Sequence, residues 1–267
     1  MQPRSARALA RQTRKVEGWF LPDAASLFAL IDEAQRSLGV SGDLFEIGVH
    51  HGKSATMLCA MASPSEGVGV CDLIAGQDGN ASASGSGNRE IFEANISAHP
   101  DGGRVRIFEK PSTDLTASEL KGPYRFFHVD GGHLLAEALA DIRLAASVLH
   151  EQGAIMVDDP FRPEWPGVTE AILRFCAERD DFVPLAVGFN KLVLVPSASR
   201  DAYEEFLLAN VWSYVSRRVY ARKTLPVAGT ETHIFYIPAR RQLPALVPAV
   251  ARAGWLLQRL RRGIAGS

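Results

Sequence analysis

The 267-residue sequence predicts a doubly wound α/β fold: a mostly parallel seven-stranded sheet, a closing antiparallel hairpin and an extra C-terminal helical segment. Three observations lead there. Short apolar runs alternate with stretches of helical spacing from residue 23 to residue 179. A glycine-bearing turn, E-I-G-V-H-H-G-K-S from Glu46 to Ser54, joins the first apolar run to its helix. Acidic residues then recur at or just past the ends of these runs, at Glu46, Asp72, Asp130, Asp158 and Asp159. In a doubly wound sheet those ends are where ligands bind.

Residues 23–38 carry apolar positions at helical spacing behind Asp23, a candidate N-cap, and Gly39 ends the run. D-L-F-E-I-G-V is the first strand, K-S-A-T-M-L-C-A-M-A its helix, and G-V-G-V-C-D-L the second strand. The stretch 75–90, rich in Gly, Ser and Asn, reads as a long loop placed to close over a site. R-E-I-F-E-A-N-I-S-A-H resumes helical spacing, and R-V-R-I-F-E-K and Y-R-F-F-H-V-D are strands three and four. The next helix has early acids and a late His150, as the helix dipole favours. G-A-I-M-V-D-D is strand five, V-T-E-A-I-L-R-F-C-A-E-R a helix, and F-V-P-L-A-V-G-F and K-L-V-L-V-P form a hairpin about Asn190. Beyond residue 200 come an amphipathic helix, a strand H-I-F-Y-I-P, and an apolar stretch with a basic tail.

Composition narrows the partners. A hydrophobic content of 46%, a charged content of 22% and a net charge of −1 describe an ordinary globular chain, with no global attraction for nucleic acid. Cys59, Cys71 and Cys176 have no paired spacing, so neither a disulfide framework nor a zinc site is expected, and the cytoplasm is the simplest compartment. The basic N-terminus lacks the apolar core of a secretory signal, and no window reaches the roughly 20 apolar residues of a membrane span.

The turn at Glu46–Ser54 is not a phosphate loop. That motif needs four residues between its first glycine and Gly-Lys-Ser, whereas Gly48 and Gly52 are separated by three. Nor is it the dinucleotide fingerprint, because His50 stands where the second glycine belongs. A carboxylate at Glu46 repels phosphate and suits a cationic group, while helix N–H groups suit an anion. Together they favour a zwitterion with an amino group and a carboxylate. Asp72, ending strand two, can take the two hydroxyls of a ribose. That is the layout of an S-adenosylmethionine site, with Glu46, Gly48, Gly52, Ser54 and Asp72 as its candidates.

E-I-G-V-H-H-G-K-S, C-D-L, F-H-V-D-G-G-H and G-A-I-M-V-D-D together resemble a class I S-adenosylmethionine-dependent methyltransferase with a Rossmann-like fold. More narrowly, they resemble the metal-dependent sugar O-methyltransferases of the macrocin and mycinamicin type. The likeness covers roughly residues 40–197. It implies that Asp130, Asp158 and Asp159 hold Mg2+, whose preference is for hard oxygen donors. It implies that His133 is the general base, since Gly132 stands where other members place an aspartate. It implies further that Ser112 and Thr113 meet the adenine and that Asp130 borders the cofactor. Trp165 is a candidate wall of the acceptor pocket, and His50 and His51 receive no role.

The expected organisation is an N-terminal helical extension (1–40), a catalytic domain binding S-adenosylmethionine (41–197) and a C-terminal extension (198–267). The expected function is O-methyl transfer to a hydroxyl of a sugar, glycan or polyhydroxylated small molecule, with Mg2+ as a further cofactor. Two other readings stay open: a nicotinamide-dependent oxidoreductase on the same sheet, and a non-catalytic module docking on a membrane or partner through its basic C-terminus. A homo-oligomer is compatible with either.

Overall fold

The structure, a computed structural model, describes residues 13, 15–74, 85 and 87–239. The glycine- and serine-rich residues 75–84 and 86 and the basic stretch 240–267 lie outside the described residues, and with them most of the expected closing loop and the whole expected C-terminal helix.

Five parallel strands form the first half of the sheet: β1 (Asp43–Ile47), β2 (Val68–Asp72), β3 (Val105–Glu109), β4 (Tyr124–Val129) and β5 (Leu149–Asp158). A hairpin, β6 (Phe182–Gly188) and β7 (Lys191–Pro196), continues it, and β8 (Ala221–Val227) with β9 (Thr230–Tyr236) completes it. The order is β3-β2-β1-β4-β5-β7-β6-β9-β8. β7 runs antiparallel to β5 and β6, and β9 pairs parallel with β6. Among the described residues the sheet therefore has nine strands where seven were expected. Residues 221–236 form a second hairpin instead of a lone strand. β8 escapes pattern reading because it is an edge strand: its side chains are mostly exposed, and Pro226 needs no ladder partner there.

Helices cover both faces. On one lie α1 (Pro22–Ser37), α2 (Lys53–Met61) and α7 (Arg200–Tyr214), packing Phe28, Leu58 and Tyr203 against Phe126, Met156 and Val193. On the other lie α5 (Leu135–Val148) and α6 (Pro166–Glu178), packing Ile142 and Phe175 against Phe127 and Ile155. α3 (Arg89–Ser97) closes a smaller cluster through Phe92 and Ile96, and α4 (Ala117–Leu120) is a single capped turn before β4. α1 starts one residue before the expected cap. Leu21 is the N-cap, Pro22 takes the first turn, where a missing N–H costs nothing, and Asp23 lies inside the helix, accepting a hydrogen bond from Tyr220 at 2.6 Å.

Arg125 of β4 fastens α1 to the sheet. Its guanidinium is wholly buried, paired with both oxygens of Glu66 (2.7 and 3.0 Å), with Asp32 (2.9 Å) and with Gln35 (2.8 Å). Removing one partner of such a group costs about 3–5 kcal/mol, because a charge is left buried and unpaired. This fixes where α1 begins, and hence where residues 16–21 cross the carboxyl ends of the strands.

Candidate active site

β1 and β4 are neighbours from opposite halves of the winding, so the crevice at their carboxyl ends is the topological switch point. A cavity of about 770 Å3 opens there, within the range of small-molecule sites. Its wall includes Gly48, Ser54, Asp72, Ser112, Asp130, His133, Asp158 and Asp159. The sequence-predicted residues are thus gathered in one cleft, with two exceptions.

Glu46 does not face the cavity. Alternation along β1 turns it towards the α1 face, where it is wholly buried and 2.7 Å from Nδ1 of His128, its register partner on β4. Burial pushes its carboxyl up to about 8 against the opposing effects of the Ser54 hydroxyl and the Lys191 ammonium. A group so placed is not the open carboxylate expected for a ligand's amino group. His128, set against Phe28 with ring centroids 4.9 Å apart, is held well below its ordinary pKa by burial and stays neutral. Gly52 is the second exception. It is the left-handed N-cap of α2 (φ 83°), and an added Cβ would meet Phe92 at 3.1 Å, so its work is conformational.

Gly48 brings the loop close under the end of β4. Its φ is 83°, and a Cβ there would stand 1.8 Å from the carbonyl oxygen of Asp130, so only glycine lets the loop pass under the end of β4. Asp72 ties the loop down: one carboxylate oxygen accepts from the N–H groups of Val49 (2.6 Å) and His50 (3.1 Å), the other from Ile74 (2.6 Å). Ser112 lies in a single 3-10 turn after β3, backed by the buried Asp141, whose carboxyl burial raises to about 7.

The acidic wall is more heavily partnered than the sequence suggests. Asp130 and Asp158 are in contact, and loss of water plus the Asp158 charge hold Asp130 well above the carboxylate range. Asp158 accepts from the Lys191 ammonium and from Asn190 at 3.0 Å. Asp159 sits in the left-handed region (φ 54°), and its carboxylate is turned aside to Asn190 (2.5 Å), Arg162 (3.0 Å) and Nε2 of His133 (3.2 Å). Burial opposes its ionisation, but those three hydrogen bonds win and hold it down to about 2. Asp130, Asp158 and Asp159 therefore fit a magnesium ion in donor type and in sharing one wall. They do not yet form a single ligand set: among the described residues the three acid or histidine side chains that bring one donor atom each within 4.8 Å are Glu46, His128 and Asp130.

His133 is held on two sides. Nε2 meets Asp159, and the ring lies on Trp165 with centroids 4.3 Å apart and planes at 34°. With Asp159 ionised, Nε2 carries the proton and donates it, which leaves Nδ1 as the basic nitrogen. Nδ1 has no hydrogen-bond partner among the described residues.

Sequence reading passed over four groups. Trp19 and Phe20 line the cavity from a strap, residues 16–21, that precedes α1, and Trp19 is 72% exposed. Lys53, from the Gly-Lys-Ser, lines it and donates to the carbonyl of Gly18 at 2.8 Å. Asn190 and Lys191 reach the acids from the β6–β7 turn, and Arg162 from the β5–α6 loop. A polar Asn-Lys pair wedged between two apolar strands was a signal available for the third.

The sheet order, with its cleft at the carboxyl ends of the parallel strands, is that of the Rossmann-like methyltransferase fold. Residues 45–160 match the family described as a methyltransferase domain. Among solved structures, the chain is similar to the O-methyltransferase NovP (17% identity, 67% of this chain and 83% of that one, TM-score 0.54). It is also similar to a putative O-methyltransferase from Klebsiella pneumoniae (12%, 72% and 88%, 0.52) and to the calicheamicin methyltransferase CalS11 (14%, 71% and 90%, 0.50). Likeness at these identities speaks for the fold. No curated protein matches the sequence.

Proposed function

We propose that this chain transfers the methyl group of S-adenosylmethionine to a hydroxyl of a sugar or polyhydroxylated small molecule. The observation that carries the reading is His133: its Nε2 is committed to an ionised Asp159 and its Nδ1 to no partner among the described residues, on the wall of a cavity that also holds the glycine loop.

The residues that would hold the cofactor are Gly48–Ser54 for its methionine part, Asp72 for its ribose and Ser112 for its adenine. The acceptor oxygen attacks the methyl carbon as the carbon–sulfur bond breaks. When bound, the cofactor would supply an activated methyl group and leave as a neutral thioether, and the acceptor's hydroxyl proton would pass to Nδ1 of His133. Asp159 then stabilises the imidazolium through Nε2–H, a positioning role. Sulfur, methyl and oxygen must lie in line, which the cleft walls enforce more than any acid–base group. Asp130, Asp158 and Asp159 are the residues that would hold Mg2+, which supplies a Lewis acid to ease deprotonation of a bound hydroxyl. Bringing the three together requires the Lys191 and Asn190 contacts to yield.

NovP is described as an O-methyltransferase and CalS11 as a calicheamicin methyltransferase, and the motif resemblance points the same way. Calorimetric titration of the chain with S-adenosylhomocysteine tests the cofactor, with micromolar binding expected. His133→Ala is expected to keep that binding and to lose at least about a hundredfold in turnover on a hydroxylated acceptor. Absence of binding would sink the proposal. Unchanged turnover in the variant would remove His133 from it.

A further inference from the structure

The lysine of Gly-Lys-Ser belongs to no phosphate loop, yet it stands in the cleft. Three described cationic side chains line the cavity: Lys53, Lys110 and Arg162. Lys110 is spent on Glu119 at 2.6 Å, and Arg162 on Asp159 and Glu164. Lys53 has no acidic partner among the described residues, its one hydrogen bond going to the carbonyl of Gly18 at 2.8 Å. It is the first residue of α2, so its ammonium and the free N–H groups of that turn lie at the same end of the cleft. The acids that line the cavity, Asp72, Asp130, Glu137, Asp158 and Asp159, come from other strand ends and from α5.

We infer that Lys53 is the counter-ion of the cofactor's amino-acid carboxylate. This rests on the proposed reading of the cleft as a site for S-adenosylmethionine. An ionised carboxylate taken out of water needs a charged or strongly hydrogen-bonding partner. Among the described residues the cleft offers one cation without an acidic partner, Lys53, to provide it, beside the glycine loop. A carboxylate bound there leaves the Gly18 contact in reach, since an ammonium has three donors. The strap carrying Trp19 and the tail of the cofactor then share one anchor. Lys53 is on this view a binding residue with no part in the proton's path.

The test uses two adenosyl ligands that differ in the amino-acid tail. S-adenosylhomocysteine carries the carboxylate, and 5′-methylthioadenosine lacks it. Calorimetric titration of the full chain is expected to show tighter binding of the first. In Lys53→Met the homocysteine ligand is expected to weaken by about tenfold or more, with 5′-methylthioadenosine changing by less than about twofold. Lys53→Arg is expected to restore most of the preference. Equal weakening of both ligands in Lys53→Met, or no change in either, would overturn the assignment, and retained 5′-methylthioadenosine binding certifies that the variant is folded. If the unaltered chain binds neither ligand, the cofactor reading itself fails.

Discussion

At the scale of single residues, the site is a set of carboxyl groups whose protons are governed by what surrounds them. Glu46 and Asp159 are driven in opposite directions, to about 8 by burial and to about 2 by three hydrogen bonds. Glu46 has a consequence for stability. Its folded pKa lies above the usual 4.5, so between about 4.5 and about 8 the folded chain binds more protons than the unfolded one. Stability therefore falls as pH rises across that window, and is highest at its acid end. Glu46→Gln keeps a partner for His128 and removes the titration. Thermal melts between pH 5 and 8 should show the melting temperature of the unaltered chain falling, and that of the variant falling less. Parallel slopes would show that Glu46 is not the titrating group. The sequence placed this glutamate correctly at the end of a strand but could not tell which face it takes, because a one-residue change in phase reverses the answer.

At the scale of elements, the loop between β1 and α2 is the one whose backbone matters most. Gly48 passes so near the carbonyl of Asp130 that any side chain must push β4 away. Gly48→Ala is expected to cost at least about 2 kcal/mol of stability and to abolish S-adenosylhomocysteine binding, as read by chemical denaturation and calorimetry. Glycine spacing made this loop legible, as apolar runs did for β1 to β7. Two elements were hidden. β8 is an edge strand of exposed residues, and neither its composition nor Pro226 resembles an inner strand. The strap V-E-G-W-F-L-P lacks any period, because it is held by contacts to Lys53 and His50 far along the chain. Contacts of that sequence separation leave no local mark.

At the scale of the whole molecule, the winding of the sheet decides which acids meet. β4 and β5 are adjacent and parallel, so Asp130 and Asp158 come into contact from residues 28 positions apart in the chain, while β7 returns antiparallel and delivers Lys191 to the same place. The sequence showed the acids and not the lysine, since a cation in an apolar strand has no partner until the sheet is assembled. The nearness of the two acids disfavours charge on Asp130 and leaves Lys191 to balance Asp158; on the proposed reading a dication would let both ionise. Addition of a chelator is expected to reduce turnover at least about tenfold, with restoration by Mg2+, while S-adenosylhomocysteine affinity changes little. Turnover indifferent to the chelator would assign the balancing of charge to Lys191.

The strap that precedes α1 bears on how the molecule should be divided. A boundary drawn where regular structure begins, at Pro22, would keep every described helix and strand named above and discard one wall of the ligand chamber. Fusion partners joined at that end would sit at the mouth of the chamber, within reach of whatever enters it. The working unit is accordingly larger than the regular helices and strands alone, and its smallest complete version includes a strap whose Phe20 packs on Phe28 while its Trp19 stays exposed.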